Sequence, residues 1–188
     1  MSYTRLQQLH NGMSVKDFTD AEKTELSTEI RQRIMEVVEK NGGHRASNLG
    51  VVELTVALHA VFDFAGQDRV FFDVGHQCYA HKLLTGRDGC FDTLRRFGGI
   101  SGFPDKSEDC RDSFSAGHSS TSLSAALGLC VARDRAGEKN HIIAVIGDGA
   151  VSVIVKAESL QANEAAQILA IVYETTGVAP QNISIINK

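Results

Sequence analysis

Five apolar residues in unbroken succession, Ile142-Ile-Ala-Val-Ile146, run directly into Gly147-Asp-Gly149. A run without polar alternation is a strand covered on both faces, as in a sheet packed between helices. Two glycines at its end let the backbone turn tightly and come close to a ligand. Asp148, held between them, is well placed to bind a divalent cation, because ligands of open α/β sheets collect at the C-terminal ends of strands. The same tripeptide also suits a plain Asp-Gly turn, so its meaning depends on what lies upstream.

Upstream, helical and strand patterns alternate. Residues 1–20 are polar and are expected to be loose, with one short apolar turn. A helix then starts near Thr19 or Asp20, carries Leu26, Ile30, Ile34 and Val37-Val38 on one face, and stops at Asn41-Gly-Gly43. A small polar segment, 43–50, precedes a second helix over Val51 to Phe62. Val70-Phe-Phe-Asp-Val74 is a short buried strand ending in Gly75-His-Gln77, and Tyr79 to Leu84 is a brief helix. Gly86 to Ser113 is a long glycine-rich loop, and loops of that length inside a domain usually serve function. The hydroxyl-rich stretch Phe114 to Ser122 opens a third helix, Leu123 to Arg135, whose free backbone N–H groups suit an anion. The alternation predicts an α/β fold, a three-layer sandwich around a largely parallel sheet.

Composition narrows the class. A net charge of −4 implies no nucleic-acid surface, and no apolar run approaches the roughly 20 residues of a membrane span. Cys78, Cys90, Cys110 and Cys130 have neither metal-ligand nor redox spacing, and the N-terminal residues lack a secretory signal. Free thiols and a cytoplasmic location are therefore expected.

Three segments repeat one pattern: Gly43-His44, Gly75-His76 and Gly117-His118, each beside the end of a predicted element. With Gly147-Asp-Gly149 they could converge on one sheet edge. Singly, each histidine suits a loop or capping position. As a set beside Asp148, they suit a diphosphate bridged by a cation, since imidazoles bind phosphate and shuttle protons near neutral pH. Competing chemistries fit less well. There is no Walker A motif, no dinucleotide fingerprint and no Gly-x-Ser-x-Gly elbow. A zinc site from His76, His81 and His118 has no common ligand spacing. Ser119 suits a helix-capping hydroxyl better than a nucleophile.

The motifs themselves are distinctive. They include Gly42-Gly-His44, Ala46-Ser-Asn-Leu-Gly-Val-Val-Glu-Leu-Thr-Val-Ala-Leu-His59, Asp73-Val-Gly-His-Gln77, His81-Lys-Leu-Leu-Thr-Gly86, Gly99-Ile-Ser-Gly-Phe-Pro104, Gly117-His-Ser-Ser-Thr-Ser122 and Val145-Ile-Gly-Asp-Gly-Ala150. From about Asp20 to Ala150 the chain closely resembles the 1-deoxy-D-xylulose-5-phosphate synthase family, transketolase-like enzymes dependent on thiamine diphosphate. The resemblance implies that residues 1–150 are the N-terminal part of a cofactor-binding domain. It implies a transferase that condenses pyruvate with glyceraldehyde 3-phosphate in non-mevalonate isoprenoid synthesis. By the same resemblance, Asp148 ligates Mg²⁺ and Gly149 and Ala150 offer backbone contacts to the diphosphate. His76, Gly117, His118 and Ser119 line the cofactor, and His44 and His118 assist proton transfers as catalytic residues. A homodimer, or a partner chain supplying the missing second domain, is implied as well.

After Ala150 the pattern departs. The family continues with a glycine- and alanine-rich helix, whereas Val151-Ser-Val-Ile-Val-Lys156 favours a strand. The family's second metal ligand, an Asn, falls near Thr175. Residues 151–188 read alone as a divergent β-α-β tail, with strands at 151–157 and 182–186 and a helix at 162–175. No residue of the family's second domain can be assigned in 188 residues. Two expectations follow: a fragment of the enzyme with little activity by itself, or a non-catalytic α/β module that binds phosphate or a partner.

Overall fold

The computed structural model describes residues 3–115, 117–118, 121–147, 152–156 and 184–187, the last two segments as strand backbone. The chain opens with helix α1, Thr4–His10, where the sequence predicts loose structure. The cause is tertiary. Leu6 is buried, and the Glu29 carboxylate accepts from the backbone N–H groups of Arg5 and Leu6. An acid from the next helix thus satisfies donors that a first turn leaves open. Helix α2, Asp20–Asn41, starts at a capping box in which Thr19 and Glu22 exchange hydrogen bonds. Its stripe of Leu26, Ile30, Ile34 and Val37 is fully or almost fully buried.

The polar segment after α2 forms a short helix, α3, Arg45–Leu49, followed by α4, Val52–Val61. Strand β1, Arg69–Asp73, leads to α5, Tyr79–Leu84, and then to a 3-10 turn at Arg87–Thr93. Helix α6, Thr121–Ala136, precedes β2, Ile142–Ile146. Strands β3, Ser152–Lys156, and β4, Ser184–Asn187, follow.

The sheet order is β1-β2-β3-β4. β1 and β2 run parallel with Asp73 level with Ile146, β2 and β3 run antiparallel, and β3 and β4 run parallel. Successive side chains of a strand point to opposite faces. Val70, Phe72, Ile143 and Val145 accordingly join α2, α4 and α5 in one core. Phe71, Ile142 and Ala144 meet Ala126 and Cys130 of α6 in a second. The sheet therefore lies between two helical layers, as the alternation predicts.

Other features bear on the site and on association. The outer edge of β1 is closed by the glycine-rich loop, where Val70 N–H donates to Ser113 Oγ at 3.1 Å. Helix α6 turns Leu123, Leu127 and Val131 outward, at 42%, 60% and 42% exposure. The four cysteines are free thiols, and burial pushes that of Cys78 up to about 12. Among the described residues, no helix is long and apolar enough to cross a membrane.

Candidate functional site

Because β1 and β2 are parallel and end level, the segments that follow them leave the same edge of the sheet. Gly75 and Gly147 take φ values of 105° and 111°, a region that disfavours side chains and lets the chain turn away at once. The first turn is locked by Gln77, which is fully buried. Its Oε1 accepts from Gly75 N–H at 3.1 Å and its Nε2 donates to the Asp73 carbonyl at 2.5 Å. The start of α6 is held to the same edge, since Ser122 Oγ donates to Asp73 Oδ2 at 2.7 Å in a buried bond. Strand end, turn and helix start are therefore one rigid assembly.

His76 is buried on that turn and His44 lies exposed at the start of α3, and their ring centroids are 4.8 Å apart. Asn48 brings them together. Its side-chain amide donates to the carbonyls of His44 at 2.6 Å and His76 at 2.7 Å, and its Oδ1 accepts from Tyr79 N–H at 2.9 Å. One fully buried amide thus clamps three backbone segments with all but one of its hydrogen-bonding positions used. Phe103, from the long loop, meets His44 edge-on at 6.4 Å between centroids. The pair leaves one imidazole open to solvent and one fixed beneath it, suited to exchanging protons with a ligand at the edge.

The remaining predicted residues divide. Gly117 and His118 are exposed just before α6, where the His118 carbonyl accepts from Thr121 Oγ1 at 2.9 Å. No described contact joins the His118 ring to His44 or His76. Ser119, Asp148, Gly149 and Ala150 lie outside the described residues. Two imidazoles beside a helix start, with the Asp73 carboxylate already engaged by Ser122, fit an anionic group such as a diphosphate. Among the described residues, no three His, Cys, Asp and Glu side chains cluster to hold a metal ion, so the assignment of Asp148 rests on sequence.

A buried polar network beneath α5 escaped the sequence analysis. Arg87 donates twice to Asp112, each at 2.7 Å, and Lys82 donates to Glu108 at 2.5 Å. His81 Nε2 stands 3.2 Å from Asp112 Oδ1, and its Nδ1 lies 3.0 Å from His59 Nε2. Burial opposes ionisation of Asp112, but Arg87 and His81 outweigh it and hold the carboxyl below its usual range. Burial drives the His81 imidazole down despite Asp112, and drives that of His59 down further with His81 beside it. Both rings are therefore neutral at physiological pH, and the network anchors the loop. The Lys-Leu-Leu-Thr-Gly-Arg stretch was the available signal: two bases beside a helix with no exposed face to carry them. A cleft of about 710 Å³ opens at the far side of the network, lined by His59, Phe62, Phe64 and Arg111, away from His44 and His76.

A sequence profile of the 1-deoxy-D-xylulose-5-phosphate synthase family matches residues 6–183, extending past Ala150 into the tail. The synthase of Caldanaerobacter subterraneus subsp. tengcongensis is 56% identical over 147 residues, 78% of this chain and 24% of the relative. That of Clostridium kluyveri is 58% identical over 138 residues, 73% of this chain and 22% of the relative. Synthase 1 of Geobacter metallireducens is 54% identical over 147 residues, 78% of this chain and 23% of the relative. The chain spans about a quarter of the length of these curated relatives. With that agreement running through the motifs that build the sheet edge and on into the tail, the chain belongs to the 1-deoxy-D-xylulose-5-phosphate synthase family.

Proposed function

We propose that this chain is the thiamine diphosphate-binding part of a cytoplasmic transferase that joins pyruvate to glyceraldehyde 3-phosphate, with loss of carbon dioxide. The observation that carries the reading is the clamped His44–His76 pair at the C-terminal edge of the sheet, at the point where α6 begins. When bound, the cofactor supplies a centre that stabilises a carbanion. The chain's own residues bind and orient it. By the family resemblance, His76 and the Gly117–Ser119 segment would line the cofactor, and the backbone at Gly149 and Ala150 would offer contacts to its diphosphate. Asp148 would ligate a Mg²⁺ ion bound to it. His44, exposed and leaning on His76, exchanges protons through its imidazole nitrogens, with His118 as its counterpart. A second domain, on a partner chain or within a homodimer of longer chains, completes the site. The apolar outer face of α6 supports such an association.

A second reading has one observation in its favour. β3 pairs antiparallel with β2 where the family pattern calls for a helix. A chain altered there would be a non-catalytic module that binds phosphate weakly. Calorimetric titration with thiamine diphosphate, with and without Mg²⁺, separates the two readings. Metal-dependent binding that Asp148→Asn abolishes is the expected result. Absence of binding under every condition overturns the first reading and leaves the second.

A further inference from the structure

The long loop reaches the site at one residue, Phe103, whose ring packs against His44. What holds Phe103 there is a chain of short hydrogen bonds. Phe103 N–H donates to Ser101 Oγ at 3.0 Å, closing a tight local turn. Ser101 N–H donates to Glu108 Oε1 at 2.5 Å. The other oxygen of Glu108 is held by Lys82 Nζ at 2.5 Å and Arg87 Nη1 at 3.2 Å. Lys82 sits on α5 and Arg87 on the 3-10 turn that opens the loop, and both are buried. One carboxylate therefore joins the Ser101 turn to a buried cationic pair. A second anchor lies on the other side of the turn, where Asp112 Oδ2 accepts from Asp105 N–H at 2.7 Å. Between the two anchors the chain has only Ser101 to Asp105, including buried Pro104 and buried Gly102, whose carbonyl accepts weakly from Cys78 Sγ, so the position of the Phe103 ring is set by how these contacts are held.

We propose that Glu108 is a positioning residue for His44, acting through Ser101 and Phe103. The importance of His44 rests on the function proposed above, but the contact does not. Charge-assisted hydrogen bonds are about twice as strong as neutral ones, and this one is made on a partly buried carboxylate. Without it the Ser101 turn detaches, the Phe103 ring leaves His44, and the imidazole gains freedom to rotate. Gln at position 108 keeps the size of the side chain but has one accepting oxygen for two sets of donors, so its NH2 faces either Ser101 N–H or the Lys82–Arg87 pair and the anchor is weakened.

The test is nuclear magnetic resonance on the 188-residue chain, without cofactor. The readouts are the Overhauser contacts between the Phe103 and His44 rings and the exchange rate of the Ser101 amide. Glu108→Ala should abolish the ring contacts and speed Ser101 exchange about tenfold. Glu108→Gln, which keeps the size but not the second acceptor, should weaken the contacts and speed Ser101 exchange as well, and Phe103→Leu should remove the contacts while leaving Ser101 protected. If Glu108→Ala does not fold, Ser101→Ala decides: weakened ring contacts support the proposal and unchanged contacts overturn it. A folded Glu108→Ala chain that keeps its ring contacts overturns it outright. Since no cofactor is added, these outcomes are independent of whether thiamine diphosphate binds.

Discussion

Asn48 shows how much of a site can depend on a residue that performs no chemistry. It binds three backbone groups whose own residues lie 4, 28 and 31 positions away in the chain. Asn48→Ala removes all three bonds and leaves the buried His76 carbonyl and Tyr79 N–H without this partner, at about 1–3 kcal/mol for each group left unsatisfied. A loss of roughly 3 kcal/mol in urea denaturation is the expected outcome, together with loss of the His44–His76 ring contact in proton spectra. A loss below about 0.5 kcal/mol, the ordinary scatter for surface changes, would show that water replaces the clamp. Of the residues around this site, His44 and His76 were legible because glycine beside histidine at an element end is a local pattern. Asn48 was not, since its partners are main-chain atoms brought close only by the fold. The same holds for Ser122 and Asp73, whose bond spans 49 positions.

Among elements, the most legible were those with apolar periodicity. The predicted starts and ends of α2, α4, α5 and β1 fall within two residues of those observed, because each is defined by its own stripe, caps or unbroken apolar run. α1 was missed because the acid that caps it belongs to α2. The length and glycines of the loop point to function, but its buried charges leave no local signal, because a buried ion network has the composition of a solvated surface. That network makes stability depend on pH. His59 and His81 stay neutral in the folded chain, while the unfolded chain protonates them near pH 6.5. The unfolded state therefore binds more protons as pH falls, and stability drops by up to about 1.4 kcal/mol per pH unit for each histidine. The urea midpoint should fall between about pH 7.5 and about pH 5.5, and His59→Gln should flatten that slope by roughly half. A midpoint constant over this range would mean that the two rings take up protons as readily in the fold as in the unfolded chain. Asp112 acts in a lower window. Its carboxyl is held below its usual range, so its contribution is intact at neutral pH and is lost as pH drops below the carboxylate value of about 3.9.

For the molecule as a whole, the family and the sandwich were legible, and the end of the chain was the hardest part to read. The sequence departs from the quoted motifs after Ala150, yet the family profile continues to residue 183. A chain that spans a quarter of its relatives is expected to orient only part of a cofactor and substrate pair. Orientation accounts for about 7–11 kcal/mol of a barrier, so the isolated chain should turn over pyruvate and glyceraldehyde 3-phosphate far more slowly than about 1 per second. Product formed at that rate, followed by a coupled assay, would mean that this chain carries a complete site. The sheet has a further consequence at its other end. Among the described residues β1 is an outermost strand of the sheet, and on its outer side Val70 N–H donates to a serine hydroxyl of the glycine-rich loop. A backbone edge of that kind is a template for growth. The loop that steadies Phe103 therefore also guards part of that edge at Ser113, so a cut or loosening within it is expected to unsettle the site and to free the Val70 N–H for another strand.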